Sequence, residues 1–299
     1  MRQNHKILQH LRHAVTVCFV AAIFVLPIYT TGSWIYGVVR DSDSRQVMTL
    51  QNPMVVRPAD KEHQGEIRPF DEPIVTITFD DGWESAYSIG LPVMQQYGIT
   101  STQYILAGEF DNMTHLSETQ VKSFQKYGHE IASHTISHPN LTTLNAEQLY
   151  QEVVESKKML EAKFGTIRDF ASPLGAHNDT TTNLVRQHYR SQRNTAADPQ
   201  TVGDEDVNTR ENFQRYDIIA YTVRRDTTVN DINRLVDYAI KRKAWVVLTY
   251  HQLVDDGSEF AVTQSDFESQ MKALFKKPIR SVPMGAVLDA IAAEKRSKP

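Results

Sequence analysis

From Pro73 to the C-terminus, short β-branched or apolar runs alternate with stretches of helical periodicity, and this alternation limits the fold more than any other feature. Ile74–Phe79 reads as a strand, followed by a helical pattern from Ser85 to Tyr97 that closes at Gly98. Thr102–Leu106 predicts the next strand. Ser117 with Gln120 makes a capping box for a helix ending near Gly128. Glu130–Ser133 is a short strand, and Asn145 caps a long helix through Phe164 that Gly165 stops. Phe170–Ser172, Asp217–Val223, Ala244–Tyr250 and Ile279–Val282 read as strands, with helices over Thr180–Tyr189, Asp231–Lys241, Phe267–Phe275 and Ala286–Glu294. Strands separated by helices imply parallel βα units. Seven or eight units in about 220 residues predict a TIM-like (β/α) barrel, incomplete or distorted, with a doubly wound open sheet as the alternative.

Ahead of the barrel, the chain divides by composition. Arg2, Lys6 and Arg12 precede an apolar stretch from Ala14 to Val39 in which no residue is charged. A bilayer core needs ~20 mostly apolar residues in a helix, so residues 14–39 are expected to be a transmembrane signal anchor. Trp34 and Tyr36 sit where an interfacial aromatic belt belongs, and the kink at Pro27 is one that membrane helices tolerate. The positive charges before the segment place residues 1–13 in the cytoplasm and the rest outside. A cleaved signal peptide and a buried helix are the alternatives. Residues 40–72, polar and carrying Pro53, Pro58 and Pro69, read as a linker; residues 73–293 form the barrel domain and 294–299 a tail.

The net charge of −4 gives no footprint for a nucleic-acid partner. Cys18 is the sole cysteine, so no intrachain disulfide exists, which neither supports nor opposes export.

In βα barrels, the groups that do chemistry gather at the C-terminal ends of the strands. Here Asp80, Asp81 and Gly82 follow the first strand. His134 follows Glu130–Ser133, with His138 four residues on. Pro173, Leu174 and Gly175 follow Phe170–Ser172, and His251 follows Ala244–Tyr250. The strand boundaries rest on apolar runs alone, so four polar or turn-forming clusters on one rim is an independent agreement. Two imidazoles and a carboxylate make a His2Asp set for a divalent metal, leaving one position open for water as catalytic sites do. Zn2+ suits these donors, and Co2+, Ni2+ and Fe2+ also bind them. Each cluster alone is ordinary: an Asp-Asp-Gly turn, surface histidines, a histidine beside a core strand. Their joint placement carries the reading.

Together the clusters resemble the polysaccharide deacetylase family, also called the NodB-homology or carbohydrate esterase 4 family. Its first motif stands as Thr78–Phe79–Asp80–Asp81–Gly82 and its second as His134–Thr135–Ile136–Ser137–His138 followed by Pro139. The third runs from Arg168 to Gly175 through Phe170, Pro173 and Leu174, and the fifth is Leu248–Thr249–Tyr250–His251. The resemblance covers Pro73 to Ala293. It implies the distorted (β/α)7 barrel and metal-dependent hydrolysis of an N-acetyl, sometimes O-acetyl, group on a sugar polymer. By the same resemblance Asp81, His134 and His138 hold the metal, Asp80 is the general base and His251 the general acid. Arg168 orients and charge-balances Asp80, and the backbone N–H of Leu174 stabilises the oxyanion.

The chain departs from the family pattern in two places. Leu174 stands where the family often has Tyr, and the fourth motif, around Val223 to Asp231, has no Trp. Asp226 is there a candidate to orient His251, and Arg224 and Arg225 are candidates for contact with an anionic or extended glycan. Phe79, Trp83 and Tyr250 lie near the rim, either to stack on sugar rings or as packing. The expected substrate is an extracytoplasmic acetylated polysaccharide: poly-N-acetylglucosamine, peptidoglycan or a chitin-like chain, with the departures favouring an exopolysaccharide. A catalytically silent glycan-binding module on the same barrel is the rival reading. A phosphodiesterase is a third, disfavoured because such sites recruit two metals and more carboxylates.

Overall fold

Five of the six residues of Ile74–Phe79 are β-branched, and the strand they form is buried along its whole length at the centre of the sheet. The computed structural model of the protein describes residues 36–40, 46–50, 65–110, 112–195 and 202–297. Strands β1 (Tyr36–Arg40) and β2 (Gln46–Leu50) pair in a two-stranded sheet. The large sheet contains β3 (Ile74–Phe79), β4 (Ser101–Ile105), β5 (Glu130–Ser133), β6 (Asp169–Ala171), β7 (Ser191–Arg193), β8 (Tyr221–Thr222) and β9 (Trp245–Tyr250). Their order is β7-β6-β5-β4-β3-β9-β8, and every pairing is parallel. Beyond β9, β10 (Gln252–Leu253) pairs with β11 (Ala261–Val262), and β12 (Arg280–Ser281) pairs with the first two residues of β3. The chain therefore has an α/β fold with a curled parallel sheet. At the seam β7 and β8 share no full ladder. An isolated bridge Arg193↔Ile218 crosses it, with Asn194 N–H on Ile218 O at 3.1 Å.

Side chains alternate across a strand, and this period divides the sheet into two faces. Val75, Ile77 and Phe79 of β3, with Val246, Leu248 and Tyr250 of β9, join the core shared with the helices. There the helix Val229–Arg242 contributes Ile232, Leu235, Val236 and Ala239, an i, i+3, i+4, i+7 stripe. The opposite set points inside. The Trp245 indole N–H donates to Thr76 Oγ1 at 2.9 Å, and Thr78 Oγ1 donates to Thr249 Oγ1 at 3.0 Å. Tyr104, Ala132 and Ala171 meet in the same interior. At the strands' N-terminal end the helix Met284–Ser297 packs Met284, Val287, Leu288 and Ile291 on Ile74, Trp245 and Val247. Continuing the interior parity past the other end of each strand gives Asp80 after Thr78, His134 after Ala132 and His251 after Thr249.

The capping box at Ser117 and the cap at Asn145 form as expected, the latter as a box with Gln148, and the helix from Asn145 continues through a π turn, Gln151–Glu155, to Phe164. Other expectations change. Residues 1–35 lie outside the described residues. Of the expected membrane segment, only Tyr36–Val39 is described, and it belongs to strand β1 rather than to a helix. Among the described residues no helix is long and apolar enough to cross a membrane. The strand expected over Asp217–Val223 shortens to Tyr221–Thr222, because the Asn208 side chain satisfies the backbone of Ile219 in place of a neighbouring strand. The final helix extends to Ser297, through most of the expected tail.

Candidate active site

The rim is where the backbone is most strained. Of six non-glycine residues with positive φ among the described residues, four lie there: Asp81 (68°), Thr135 (75°), His138 (61°) and Leu174 (59°). Such conformations cost on the order of 1–3 kcal/mol each and persist where surrounding structure enforces them. Gly82, at φ 77°, completes the turn after β3; a Cβ there would meet Ile105 at 3.3 Å.

That turn sends two carboxylates in different directions. Asp81 meets the two histidines of the loop after β5. Its Oδ1 lies 3.6 Å from His134 Nε2 and 3.4 Å from His138 Nε2. These separations are too long for hydrogen bonds. They are the spacing of neighbouring ligands around one small cation with bonds of about 2.0–2.2 Å. Among the described residues Asp81 Oδ1 is buried with no hydrogen-bond partner, so an electron-rich atom is held dry and aimed at the histidines. Its other oxygen accepts from the Trp83 indole N–H at 3.0 Å.

His134 is prepared in the same sense. Its Nδ1 is 2.9 Å from Ala171 O, which can only accept, so Nδ1 carries the proton and Nε2 its lone pair toward Asp81. Burial pushes the imidazole down to about 4, against the pull of Asp80 and Asp81, so it is neutral at physiological pH. The loop itself is held by Glu152, on the π turn, which accepts the Ile136 and Ser137 backbone N–H groups at 2.8 and 3.0 Å. Asp81, His134 and His138 can thus hold a metal.

Asp80 faces inward and is 2 % exposed. Both of its oxygens accept from Arg193 Nη2 at 2.6 Å. Burial alone would raise the carboxyl; Arg193, then His134 and His251, outweigh it and hold the group below the usual carboxylate range. The Arg193 guanidinium is fully buried over the Tyr104 ring, 4.9 Å from its centroid. His251 stands on the other side, Nε2 4.0 Å from Asp80 Oδ2, its ring 5.2 Å from that of Phe260.

The arginine beside Asp80 is therefore Arg193, not Arg168. Arg168 precedes β6 and lies at the N-terminal end of the sheet, opposite the rim, where it pairs with Asp289 at 2.7 Å. Asp226 is exposed and, among the described residues, forms no hydrogen bond or ion pair with His251, whose Nδ1 is buried with no hydrogen-bond partner among them. Arg224 and Arg225 pin the loop after β10, through Glu259 Oε1 at 2.8 Å and Gly257 O at 2.6 Å. Phe79 and Tyr250 are core packing, both fully buried, while Trp83 is half-buried beside the site. Leu174 follows β6 with its side chain 65 % exposed. Arg193 escaped the sequence reading because β7, Ser-Gln-Arg, has no apolar residue to mark it. In the structure strand parity accounts for its placement: Ser191 bonds the interior Asp169, and Arg193, two residues on, also points inside.

The family model described as polysaccharide deacetylase matches residues 67–190. Residues 67–190 belong to the polysaccharide deacetylase family. The matched deacetylase segment contains Asp80, Asp81, His134 and His138; Arg193 and His251 lie beyond it. A Bacillus subtilis protein, YxkH, assigned to the polysaccharide deacetylases, is 35 % identical over 111 residues, 37 % of this chain and 40 % of that protein. A peptidoglycan-N-acetylglucosamine deacetylase of Bacillus cereus is 29 % identical over 120 residues, 40 % of this chain and 54 % of the relative. The chain thus spans about half or less of these relatives' length. Among solved structures, the Xyl-CE4 domain of a xylanase from a Trinervitermes trinervoides hindgut metagenome aligns with a TM-score of 0.53 at 17 % identity, covering 74 % of this chain and 92 % of that one. A point mutant of the peptidoglycan deacetylase PdaC from Bacillus subtilis aligns at 0.52 and 16 %, covering 77 % and 97 %. At these identities the likeness is one of fold.

Proposed function

We propose that the chain is a metal-dependent hydrolase that removes N-acetyl groups from an extracytoplasmic polysaccharide built on N-acetylglucosamine. One observation supports this above the others. The dry, unpartnered Asp81 Oδ1 and the lone pair of His134 converge with His138 beside a second, ionised carboxylate. A glycan-binding module has no use for that pairing. The ligands would be Asp81, His134 and His138, and their donor set suits Zn2+, with Co2+, Ni2+ and Fe2+ as alternatives. When bound, such a cation supplies Lewis acidity for the carbonyl and lowers the pKa of water.

The remaining chemistry belongs to the chain. Asp80, kept ionised by Arg193, accepts the proton of the attacking water as general base. An amine cannot depart as an anion, so His251 donates a proton to the leaving nitrogen. By the same reading the backbone N–H of Leu174 would stabilise the developing oxyanion. Phe260, 42 % exposed next to His251, offers an apolar face to a sugar ring. The apolar N-terminal sequence supports tethering to a membrane with the barrel outside; resistance of the tether to carbonate extraction tests that part.

The full chain, loaded with Zn2+ or Co2+, is expected to release acetate from N-acetylglucosamine oligomers, and Asp80→Asn to lower the rate by about 10²–10⁴-fold. Bound metal with no acetate from poly-N-acetylglucosamine, peptidoglycan or chitin fragments would instead favour the binding-module reading.

A further inference from the structure

We infer that Trp83, held flat against His115, is a positioning residue that commits one oxygen of Asp81 and leaves only the other to the metal. This inference rests on the metal reading of the site. The indole N–H is a donor with no acceptor capacity, and it lies 3.0 Å from Asp81 Oδ2. An oxygen engaged by that donor is a poorer ligand than its twin. The twin, Oδ1, is the buried, unpartnered atom that faces both imidazoles.

The indole is itself fixed from a part of the chain that carries no motif. Its ring stacks on His115 with centroids 4.5 Å apart and planes 26° from parallel. The two residues form an antiparallel bridge, flanked by Glu84 N–H on Thr114 O at 2.9 Å and Leu116 N–H on Gly82 O at 2.8 Å. The His115 ring is oriented by the Thr114 hydroxyl, 3.0 Å from Nδ1. Behind them Gln120, in the capping box of the helix Glu118–Lys126, donates to Glu84 Oε1 at 3.0 Å. The loop between β4 and that helix therefore sets the Asp81 carboxylate, which otherwise hangs on a left-handed residue. Outer partners of metal ligands typically change affinity by roughly 10- to 100-fold.

Trp83→Phe keeps the stack on His115 and removes the N–H. Measured on the full chain by competition with a chromophoric chelator, its affinity for Zn2+ and Co2+ should fall by roughly 10- to 100-fold. The visible absorption of bound Co2+ should also change, because a freed carboxylate can chelate through both oxygens. The metal-free variant should keep the parent's circular dichroism spectrum and melt somewhat lower, because Asp81 Oδ2 loses its donor. His115→Ala should weaken binding by unseating the indole, and His115→Phe, which restores a stacking face, should recover it. Parent affinity and an unchanged Co2+ spectrum in Trp83→Phe would overturn the inference. If Trp83→Phe does not fold, the His115 pair decides: recovery in the Phe variant supports the clamp, and equal affinities in the two overturn it. A parent that binds neither ion would instead remove the metal reading itself, and that titration is separate.

Discussion

Arg193 is the residue on which Asp80 depends, and its burial sets the size of the effect. Both partners are dry, and removing one strands the other's charge in the interior, at a cost of about 3–5 kcal/mol. Arg193→Ala is therefore expected to lower unfolding stability by that order and to abolish measurable acetate release. Arg168→Ala, which removes a half-exposed pair with Asp289, should change stability by about 1 kcal/mol or less and leave turnover at the parent's level. Urea unfolding and acetate assays on the two variants check this together; equal loss of turnover in both would restore Arg168 to the site. The contrast also shows where single residues could be read from sequence. Asp80, Asp81, His134, His138 and His251 each follow a strand marked by an apolar run, so their place on one rim was legible. Arg193 follows no such mark. Its strand is buried through hydrogen bonds and an ion pair, which hydropathy does not register.

Elements supply the walls around that centre, and their conformations explain which boundaries could be foreseen. Two helix starts were readable because a cap is local chemistry: Ser117 and Asn145 each exchange hydrogen bonds with a glutamine three residues on, whereas the caps Thr228 and Thr263 set starts two and three residues ahead of those expected. The shortened β8 was not, because the Asn208 side chain that replaces its partner lies eleven residues away, outside the strand's own pattern. Nor was the loop between β10 and β11, whose shape comes from Arg224 and Arg225 on a neighbouring element. That loop holds Phe260 beside His251, with the Arg224 guanidinium 5.6 Å from its ring. Read as a sugar platform, Phe260 contributes to binding before chemistry begins. Phe260→Ala should raise KM roughly fivefold, the worth of one aromatic contact, with little change in kcat. Steady-state kinetics on a soluble oligomer measure this, and a kcat loss with constant KM would place the ring in support of His251 instead.

At the scale of the described fold, the curled sheet and its helices bury titratable groups far from the rim, and these tie stability to pH. His129 is the clearest. It precedes β5, accepts the Ser101 backbone N–H on Nδ1 at 3.0 Å, and packs edge-on against Phe124. Burial pushes it down to about 3 from an ordinary value of 6.5. The unfolded chain therefore takes up a proton on this histidine as pH falls through 6.5, while the folded chain does not until about 3. The stability from the neutral ring is complete above pH 6.5 and declines below it. Other groups act in the same window. His134 falls in the same direction, and Glu130, pushed up by burial and by Asp169, acts in the opposite one. The difference between parent and His129→Phe isolates the one proton. His129→Phe loses the Ser101 acceptor and should be less stable than the parent at pH 7. As pH falls from 6 to 4.5 the parent should lose stability relative to the variant by about 1.4 kcal/mol per pH unit. Urea unfolding of metal-free full chain at several pH values tests this, since His134 and Glu130 are common to both proteins and cancel. Two parallel curves would mean that His129 meets solvent or a partner in the folded chain, and that the packing between β5 and the helix Glu118–Lys126 is looser than its contacts indicate.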